Sequence, residues 1–420
     1  MTRRILIIIL ISALAAVACV RVETGFTWNE EFGYEESHSL VGFSWYAARG
    51  KATKANPSLY VGEGSTHLRS GSSFGVFGYF HPQSGTPSSP VAGGWKDGVN
   101  NNYPNFFYNE GVSITELSGG KYQYDYSNSR YWPRNQYDRI SFFAYYPYNP
   151  GIAQGTPPPG TIVESFLDTG YEREGLVGFY YVVPEASEAQ VDFMISDLCL
   201  DQNRAVWEAN HNQGLTIGSD ASVAEDKTGT VKFFFHHALS QIRVKSVNFD
   251  ASGNSDVEVK VNYIRFNDVP VFAQCIPVPD FTTTTSTGRT TVTPTWPTSG
   301  LSLQRPDLTS GVQADKCYTD PADPSTFIVE NVLLLIPHEF SASATIEVNF
   351  DVKRKTDSST GEYYEYLNNT LSAPLTTYTV SSWDPGKIYT YIINLNLKKI
   401  NFDASVTDWI VAGDDVMMDN

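Results

Sequence analysis

Two adjacent histidines are the residues whose type and position most directly suggest chemistry. His236 and His237 follow the apolar run Phe233–Phe235, and imidazole is both a common metal ligand and the acid–base group that titrates near neutral pH. Neighbouring residues of a β-strand point to opposite faces, so the two rings do not readily share a metal ion. We therefore predict that they pack or cap the end of a strand, and we expect no metal site.

Motifs of common catalytic sites do not support an enzymatic function. The sequence contains no P-loop, no H-E-x-x-H motif and no cysteine pair at metal-ligand spacing. The pair Asp414-Asp415 near the end of the chain is typical of a solvated tail rather than of a cation site. The sequence therefore predicts a protein that is not an enzyme and that uses no cofactor.

The sequence contains four cysteines, of which Cys19 near the start of the chain is considered separately. Cys199, Cys275 and Cys317 are too few and too scattered for a disulfide scaffold or a zinc site. Two alternatives stay open for them: one bridge, for example between Cys275 and Cys317, or three buried free thiols. The remaining cysteine, Cys19, stands in a different context.

The first residues have the layout of a secretion signal. Two positive charges, Arg3 and Arg4, precede the apolar run from Ile5 to Val17. As a helix this run rises about 20 Å, too short for a bilayer core of about 30 Å. Residues 1–18 are therefore interpreted as a signal peptide.

The segment before Cys19 resembles the bacterial lipobox. Ala15-Ala16-Val17-Ala18 supplies small residues ahead of the cysteine, with Ala16 where the motif most often has Leu. The motif implies that the Cys19 thiol is acylated, with palmitate among the typical chains, and that Cys19 becomes the first mature residue. Several acyl chains give stable membrane anchoring, since each buried methylene contributes about 0.8 kcal/mol. Residues 19–37 are polar and acidic, and are interpreted as a tether.

Composition restricts the class of protein and of partner. The formal charge is 29 − 46 = −17, and such an acidic chain repels phosphate backbones, so we expect no nucleic-acid partner. Hydrophobic residues make up 41% and aromatic residues 14% of the chain, enough for a sizeable core. The many Tyr, Phe, Gly and Pro residues favour β-structure, and a length of 420 residues suggests two domains.

Apolar residues that alternate with polar ones predict antiparallel sheets stacked in pairs. The strands predicted on this basis or from apolar runs are Leu40–Tyr46, Ser73–His81, Lys121–Tyr126, Ile140–Tyr146, Val231–Phe235, Val257–Tyr263, Ile346–Val352 and Tyr389–Leu397. Pro82–Pro104 is expected to be a loop, and the Thr-rich segment Thr282–Gly300 a long surface excursion that buries little. A polar stretch between Gln202 and Gly229 predicts a boundary between domains 38–215 and 216–420.

Five segments, in order, resemble the fimbrillin superfamily of Bacteroidetes pilins. They are Tyr131–Pro133 with Asp138–Tyr148, Phe235–Ile242, Leu334–Pro337, Trp383–Tyr391 and Val406–Trp409. The resemblance implies an all-β fold of two tandem transthyretin-like antiparallel β-sandwich domains. It also implies a role as a shaft, anchor or tip subunit of a pilus.

The resemblance further implies assembly by strand exchange. In that superfamily a lipoprotein precursor reaches the outer membrane, an arginine-specific protease removes its first strand, and the groove accepts a strand from another subunit. Here the first strand is Leu40–Tyr46 and the expected cut lies between Arg49 and Gly50, because small residues flank Arg49 in a loop. Arg21 and Arg69 are the competing positions.

Two questions stay open from the sequence. The tail Ile410–Asn420 lacks strict alternation, so a tip or accessory role and a donor segment that includes Ser405–Trp409 are both alternatives to a polymerising shaft. The second open question is whether the protein polymerises at all. The alternative is a surface-anchored adhesin or glycan-binding lipoprotein that does not polymerise and that contacts a host protein or glycan. Its motivation is the aromatic content, with Trp95 in the loop Pro82–Pro104.

Overall fold

The computed structural model of the chain describes a large part of one compact unit, Leu40–Asn420. The described residues are 40–47, 71–95, 104–118, 121–152, 163–166, 176–184, 189–204, 217–218, 230–249, 257–285, 288–297, 312–314, 317–320, 323–329, 332–355, 363–377, 380–395 and 400–408. The predicted signal peptide, Cys19, the predicted tether, Arg49, Gly50 and the tail after Asp408 lie outside them. No helix in these ranges is both long and apolar enough to span a bilayer.

The described residues are organised almost entirely as strands. The strands of the first half are β1 (Gly42–Ala47), β2 (Ser73–His81), β3 (Ser84–Thr86), β4 (Ser89–Val91), β5 (Phe107–Leu117), β6 (Lys121–Asp125), β7 (Arg139–Tyr146), β8 (Val163–Phe166), β9 (Gly178–Val182), β10 (Met194–Ser196), β11 (Leu198–Gln202), β12 (Ile217–Gly218) and β13 (Thr230–His237). Those of the second half are β14 (Ser240–Phe249), β15 (Val257–Asn267), β16 (Phe272–Pro279), β17 (Arg289–Thr290), β18 (Val292–Thr295), β19 (Val312–Ala314), β20 (Cys317–Asp320), β21 (Asp323–Val329), β22 (Val332–Leu335), β23 (His338–Glu339), β24 (Thr345–Lys355), β25 (Tyr363–Pro374), β26 (Ser382–Trp383), β27 (Lys387–Leu395) and β28 (Ile400–Asp408). Short 3₁₀ helices cover Phe281–Thr283 and Leu375–Thr377. The predicted all-β fold class is confirmed.

The largest sheet has ten strands, with the main order β1-β13-β10-β7-β2-β5-β6. β2 is one of its inner strands and pairs antiparallel with β7, from Gly75 opposite Tyr145 to His81 opposite Arg139. Nearly every residue of β2 is buried, as expected for a central strand covered on both faces. The strand predicted over Ser73–His81 is confirmed with the same ends.

A smaller sheet, in the order β18-β16-β9-β8, packs against this large sheet. The ring of Phe179 on β9 lies 4.8 Å from that of Tyr145, 6.3 Å from that of Phe143 and 6.4 Å from that of Phe77. All four side chains are fully buried. The contact is the sandwich arrangement that alternating strands predict.

A second pair of sheets has the orders β20-β21-β14-β27-β28 and β19-β15-β24-β25. Phe266 on β15 packs against Tyr391 on β27, with ring centroids 5.8 Å apart. Ile346 and Val348 on β24 are buried, as their alternation with polar residues predicts. Buried residues of both pairs of sheets join one apolar cluster that runs from Phe77 to Ile393.

Two ladders among the described strands are parallel, which the expectation of antiparallel sheets did not include. They join β1 to β13 and β14 to β27. Each connects strands that are far apart in the chain, and such partners can enter a sheet in the same direction. The domain boundary at residue 215 stays a prediction; β13 and β16, which follow it, pair with strands that precede it.

The Thr-rich segment Thr282–Gly300 is less exposed than predicted. Thr290 and Val292 are buried, and β17 and β18 pair with β11 and β16. Threonine is β-branched and fits a pleated strand, and residues 290 to 295 alternate between buried and exposed. The prediction that this stretch buries little is therefore wrong for residues 290–294.

Trp95 is not an exposed ring. It is 4% exposed, its ring lies 4.9 Å from that of Tyr79, and its backbone N–H donates to Asp201 Oδ1 over 2.9 Å. The loop before it also forms the hairpin β3–β4. Trp95 therefore does not supply an exposed ring in support of the glycan-binding alternative, because it packs in the aromatic core of the large sheet.

Cys199 and Cys275 are not cross-linked. Cys199 and Cys275 are buried free thiols, and burial raises the pKa of the Cys275 thiol well above its usual value. Cys275 therefore forms no bridge with Cys317 in this structure.

Candidate functional site: the seat of the first strand

The first strand lies at one edge of the ten-stranded sheet. It pairs in parallel with β13, from Gly42 opposite Thr230 to Ala47 opposite Phe235. The other side of β13 is shared by β12, at its start, and β10, at its end. β1 therefore covers one side of β13 from Thr230 to Phe235. The predicted first strand Leu40–Tyr46 is confirmed, with its start shifted by two residues and its end by one.

A socket of four aromatic rings holds the side chain of Phe43. The ring of Phe43 stacks on Phe233 at 5.8 Å and meets the rings of Tyr126, Phe107 and Phe142 at 5.2, 5.7 and 6.1 Å. We call these four residues the Phe43 socket. Phe43 is 2% exposed, and full burial of a phenylalanine contributes about 1.5–3 kcal/mol.

The loop that follows β6 holds the start of β1 from the opposite side. The N–H of Val41 donates to the carbonyl of Arg130 over 2.9 Å, and Tyr126 Oη donates to the carbonyl of Val41 over 2.6 Å. Leu40 forms an isolated antiparallel bridge with Tyr131. Burial raises the pKa of Tyr126 to about 12, so its hydroxyl stays a donor at physiological pH. β1 thus fills the groove between β13 and this loop, and we call this groove the seat of β1.

Glu110 fixes that loop independently of β1. Its carboxylate accepts the backbone N–H groups of Ser127 and Asn128 over 2.9 and 3.1 Å, and the Asn128 side-chain amide over 2.6 Å. Hydrogen bonds to an ionised carboxylate are stronger than neutral ones. The wall that faces β1 is therefore held by β5, which carries Glu110.

The other wall, β13, is held at its far end by two histidine–aspartate pairs. His236 Nε2 lies 2.7 Å from Asp197 Oδ1, and His237 Nδ1 lies 2.7 Å from Asp192 Oδ2. Both histidines stand opposite β10, and their rings lie on opposite faces of β13. Each ring binds its own carboxylate, which is the packing role that the sequence predicts for the two histidines.

One position of β1 fits its seat poorly. Ser44 is fully buried, and its hydroxyl oxygen has no hydrogen-bond partner among the described residues. A buried hydroxyl without a partner costs about 1–3 kcal/mol. At Gly42 a Cβ would lie 2.9 Å from Thr230 Oγ1, so a larger residue there would require the Thr230 side chain to move.

The predicted site residues divide between the described part of the chain and the rest. The structure places β1 and its seat, whereas Cys19, Arg49 and Gly50 fall outside the described residues. Sequence reasoning missed the Phe43 socket and the Arg130 carbonyl. The Tyr131-Trp132-Pro133 segment was the available signal, because it directly follows the loop that binds Val41.

Comparison with known proteins identifies the family. Residues 62–409 match the fimbrillin-like family. The chain belongs to the fimbrillin-like family. This is a family of fimbrial structural and adhesion proteins, not of enzymes, and the matched range begins after β1.

Two individual similarities accompany the family match of this fimbrillin-like chain. It is 28% identical over 200 residues to the fimbrium subunit Fim1C of Phocaeicola vulgatus, which covers 48% of this chain and 43% of that protein. The match therefore spans less than half of that curated relative. The fold is similar to the crystal structure of a fimbrial protein from Bacteroides vulgatus, with a TM-score of 0.53 at 18% identity, over 88% of this chain and 99% of the other.

Proposed function

We propose that this fimbrillin-like chain is a structural or accessory subunit, including a tip subunit, of a cell-surface fimbrium. It is exported as a lipoprotein acylated at Cys19 and anchored in the outer membrane. Cleavage between Arg49 and Gly50 then releases β1, and a strand of another subunit takes its place. The partners are thus other fimbrial subunits, joined by main-chain hydrogen bonds.

The position of β1 is the observation that supports this proposal most. An edge strand can leave without breaking any other ladder, whereas a central strand cannot. Its departure uncovers the backbone groups of β13 from Thr230 to Phe235 beside the Phe43 socket. Such an edge next to an apolar trench is what an added strand recognises.

The energetics favour replacement of β1 by a better-fitting strand. Burial of Val41 and Phe43 contributes about 3–6 kcal/mol together, which any replacement strand with large apolar residues at these positions also gains. The unpartnered hydroxyl of Ser44 costs about 1–3 kcal/mol, which a strand with Ala or Val there avoids. The exchange therefore needs no nucleotide hydrolysis.

The walls of the seat are built to survive the loss of β1. Glu110 holds the loop that carries Arg130, and the pairs of His236 and His237 hold the end of β13. None of these contacts involves β1. The emptied groove is therefore preorganised, which lowers the entropy cost of strand addition.

The C-terminal alternative for the donor has a structural cost. Residues Ser405–Asp408 already pair with Lys387–Thr390 in the ladder between β28 and β27. To act as a donor they must leave that ladder. A donor taken from the residues after Asp408 avoids this cost.

The test uses the full chain, an arginine-specific protease and a labelled peptide of residues 38–49. We expect the protease to remove the segment before Gly50 and the peptide to bind the emptied groove. A Phe43→Ala peptide should bind about 100-fold more weakly, the equivalent of about 3 kcal/mol. An Arg49→Ala chain should resist the cut, and an Arg69→Ala chain should behave like the wild type. A cut chain that binds both peptides equally, or neither, contradicts strand exchange.

A further inference from the structure

The first four residues of β1 recur earlier in the chain with a single conservative change. The order Gly-Phe-Ser-Trp stands at Gly42–Trp45, and the order Gly-Phe-Thr-Trp stands at Gly25–Trp28. Gly-Phe occurs at one further place, Gly178-Phe179, and there two tyrosines follow. We call Gly25–Trp28 the upstream segment. It lies outside the described residues, whereas the seat that holds its counterpart in β1 lies inside them.

The seat of β1 accepts an aromatic ring at the position of Phe43. Phe43 is 2% exposed, and the rings of the Phe43 socket lie between 5.2 and 6.1 Å from its own. A smaller side chain at this position would leave a cavity, which is unfavourable in a packed core. Phe26 of the upstream segment supplies the same ring.

The positions on either side of Phe43 restrict the size of a side chain. A Cβ at Gly42 would lie 2.9 Å from Oγ1 of Thr230, which is itself 1% exposed. Ser44 is fully buried, and a much larger side chain at a packed position strains its neighbours. The upstream segment keeps the glycine and adds only one methyl group at the position of Ser44. It therefore satisfies all three restrictions.

Other stretches before β1 and after β28 fit the seat less well. Gly33-Tyr34 also places an aromatic residue after a glycine, but Glu35 would then stand at the fully buried position of Ser44. Burial of a charged group is unfavourable. In residues 409–420 the only glycine is followed by Asp414, which would enter the Phe43 socket. The upstream segment is therefore the best match among these residues.

An empty seat and a free upstream segment occur on different copies of the chain. A copy cut between Arg49 and Gly50 has an empty seat, but it has lost the upstream segment. An uncut copy keeps the upstream segment, and its own seat is filled by β1. The fully buried Val41 of β1 corresponds to Thr24 before the upstream segment. Because a buried hydroxyl is less favourable than a methyl group, the upstream segment does not displace β1 from its own seat.

We propose, on the basis of the proposed removal of β1, that the upstream segment of an uncut copy binds the seat of a cut copy of this chain. It adds to β13 as a parallel strand, as β1 does, and Phe26 enters the Phe43 socket. Thr24 replaces Val41 in the backbone hydrogen bonds to the loop that follows β6. The uncut copy has no empty seat, so it forms one end of an assembly.

Isothermal titration calorimetry with full-length copies tests this inference. The uncut copy is an Arg49→Ala chain, and the cut copy is wild-type chain separated from the residues before Gly50. We expect them to bind with one uncut copy per cut copy. Phe26→Ala in the uncut copy should weaken binding about 100-fold, because it leaves the Phe43 socket empty. Tyr34→Ala is the matched control, and it should bind as the Arg49→Ala chain does.

A compensating pair of substitutions tests the register. Gly25→Ala in the uncut copy should weaken binding about 10-fold, because its Cβ meets Thr230 Oγ1. Thr230→Ala in the cut copy should restore this binding to within about 2-fold of the wild type, since Cα and Cβ of residue 230 lie 3.5 and 3.6 Å from that Cβ. Binding of the labelled peptide of residues 38–49 shows that the Thr230→Ala seat is intact.

The inference and the proposed strand exchange fail in different ways. If the cut copy binds the peptide of residues 38–49 but not the uncut copy, the inference is overturned and strand exchange stands. If the cut copy binds neither, both are overturned. Equal binding by the Phe26→Ala and Arg49→Ala chains, or loss of binding on Tyr34→Ala, also overturns the inference. Thermal melts of the uncut variants show that each of them is folded.

Discussion

The ring of Phe43 stacks on the ring of Phe233, with centroids 5.8 Å apart and planes inclined by 23°. Phe233 lies on β13 and pairs through its backbone with Trp45, two residues beyond Phe43. The same two strands are thus joined twice, by a main-chain ladder and by a ring contact. β1 is therefore bound both by backbone hydrogen bonds to β13 and by the contact between the rings of Phe43 and Phe233.

Phe43→Ala is expected to lower the free energy of unfolding by about 3–5 kcal/mol, because it empties the Phe43 socket. Chemical denaturation of the full chain measures the change. Leu117→Ala on β5 is the control, since Leu117 is 38% exposed, and it should change stability by no more than about 0.5 kcal/mol. Equal losses in the two variants would show that β1 is not held by this socket.

Ser44→Ala is expected to stabilise the chain by about 1–3 kcal/mol, because it removes a buried hydroxyl without a partner. Ser240→Ala is the matched change, since Ser240 is equally buried but its hydroxyl donates to the carbonyl of Asp384 over 2.8 Å. That variant should lose about 1 kcal/mol. The two denaturation midpoints should therefore move in opposite directions; a loss in Ser44→Ala would contradict the poor fit of this position.

His237→Ala and His236→Ala should differ strongly in stability. The side chains of His237 and Asp192 are 1% and 2% exposed, and removal of one partner from a buried pair costs about 3–5 kcal/mol. His236 is 27% exposed, and Asp197 also has Arg289 at 3.7 Å. We expect His236→Ala to cost about 1 kcal/mol. Thermal denaturation of both variants measures the two losses of stability. A larger loss for His236→Ala than for His237→Ala would contradict the conclusion that the buried His237–Asp192 pair is the more important one.

The pH dependence of stability should change on replacement of His338. Burial lowers the folded pKa of His338 below its ordinary 6.5. Below pH 6.5 the unfolded chain therefore binds more protons than the folded chain, and stability falls as the pH falls. His338→Asn keeps a donor to the Ile336 carbonyl and does not titrate. As the pH falls from 7.5 to 5, the stability of His338→Asn relative to the wild type should therefore increase. A difference in stability that does not change with pH would contradict burial of a neutral ring.

Local alternation made much of the fold predictable. Ile346, Val348 and Phe350 alternate with polar residues, and all three are buried on β24. The first strand was predictable in the same way, since Val41 and Phe43 face inward and breaker residues follow. Such strands are recognised from the alternation of neighbouring residues, and so they can be predicted from the sequence.

The partners of each strand could not be predicted in the same way. Nothing near Phe43 indicates that its ring meets Phe107 and Phe233, because strand order is decided by packing of the whole sheet. Trp95 was misjudged for the same reason, since Gly and Pro around it are typical of a loop but Tyr79 buries its ring. Thr290 was missed because a Thr-rich composition hid a period of two.

The most direct test of strand exchange is the N-terminal residue of this chain in fimbriae sheared from the cell surface. Sequencing or intact mass of the assembled protein measures it. Removal of β1 predicts a chain that begins at Gly50. An assembled chain that still begins at a lipid-modified Cys19 and retains β1 would contradict the account.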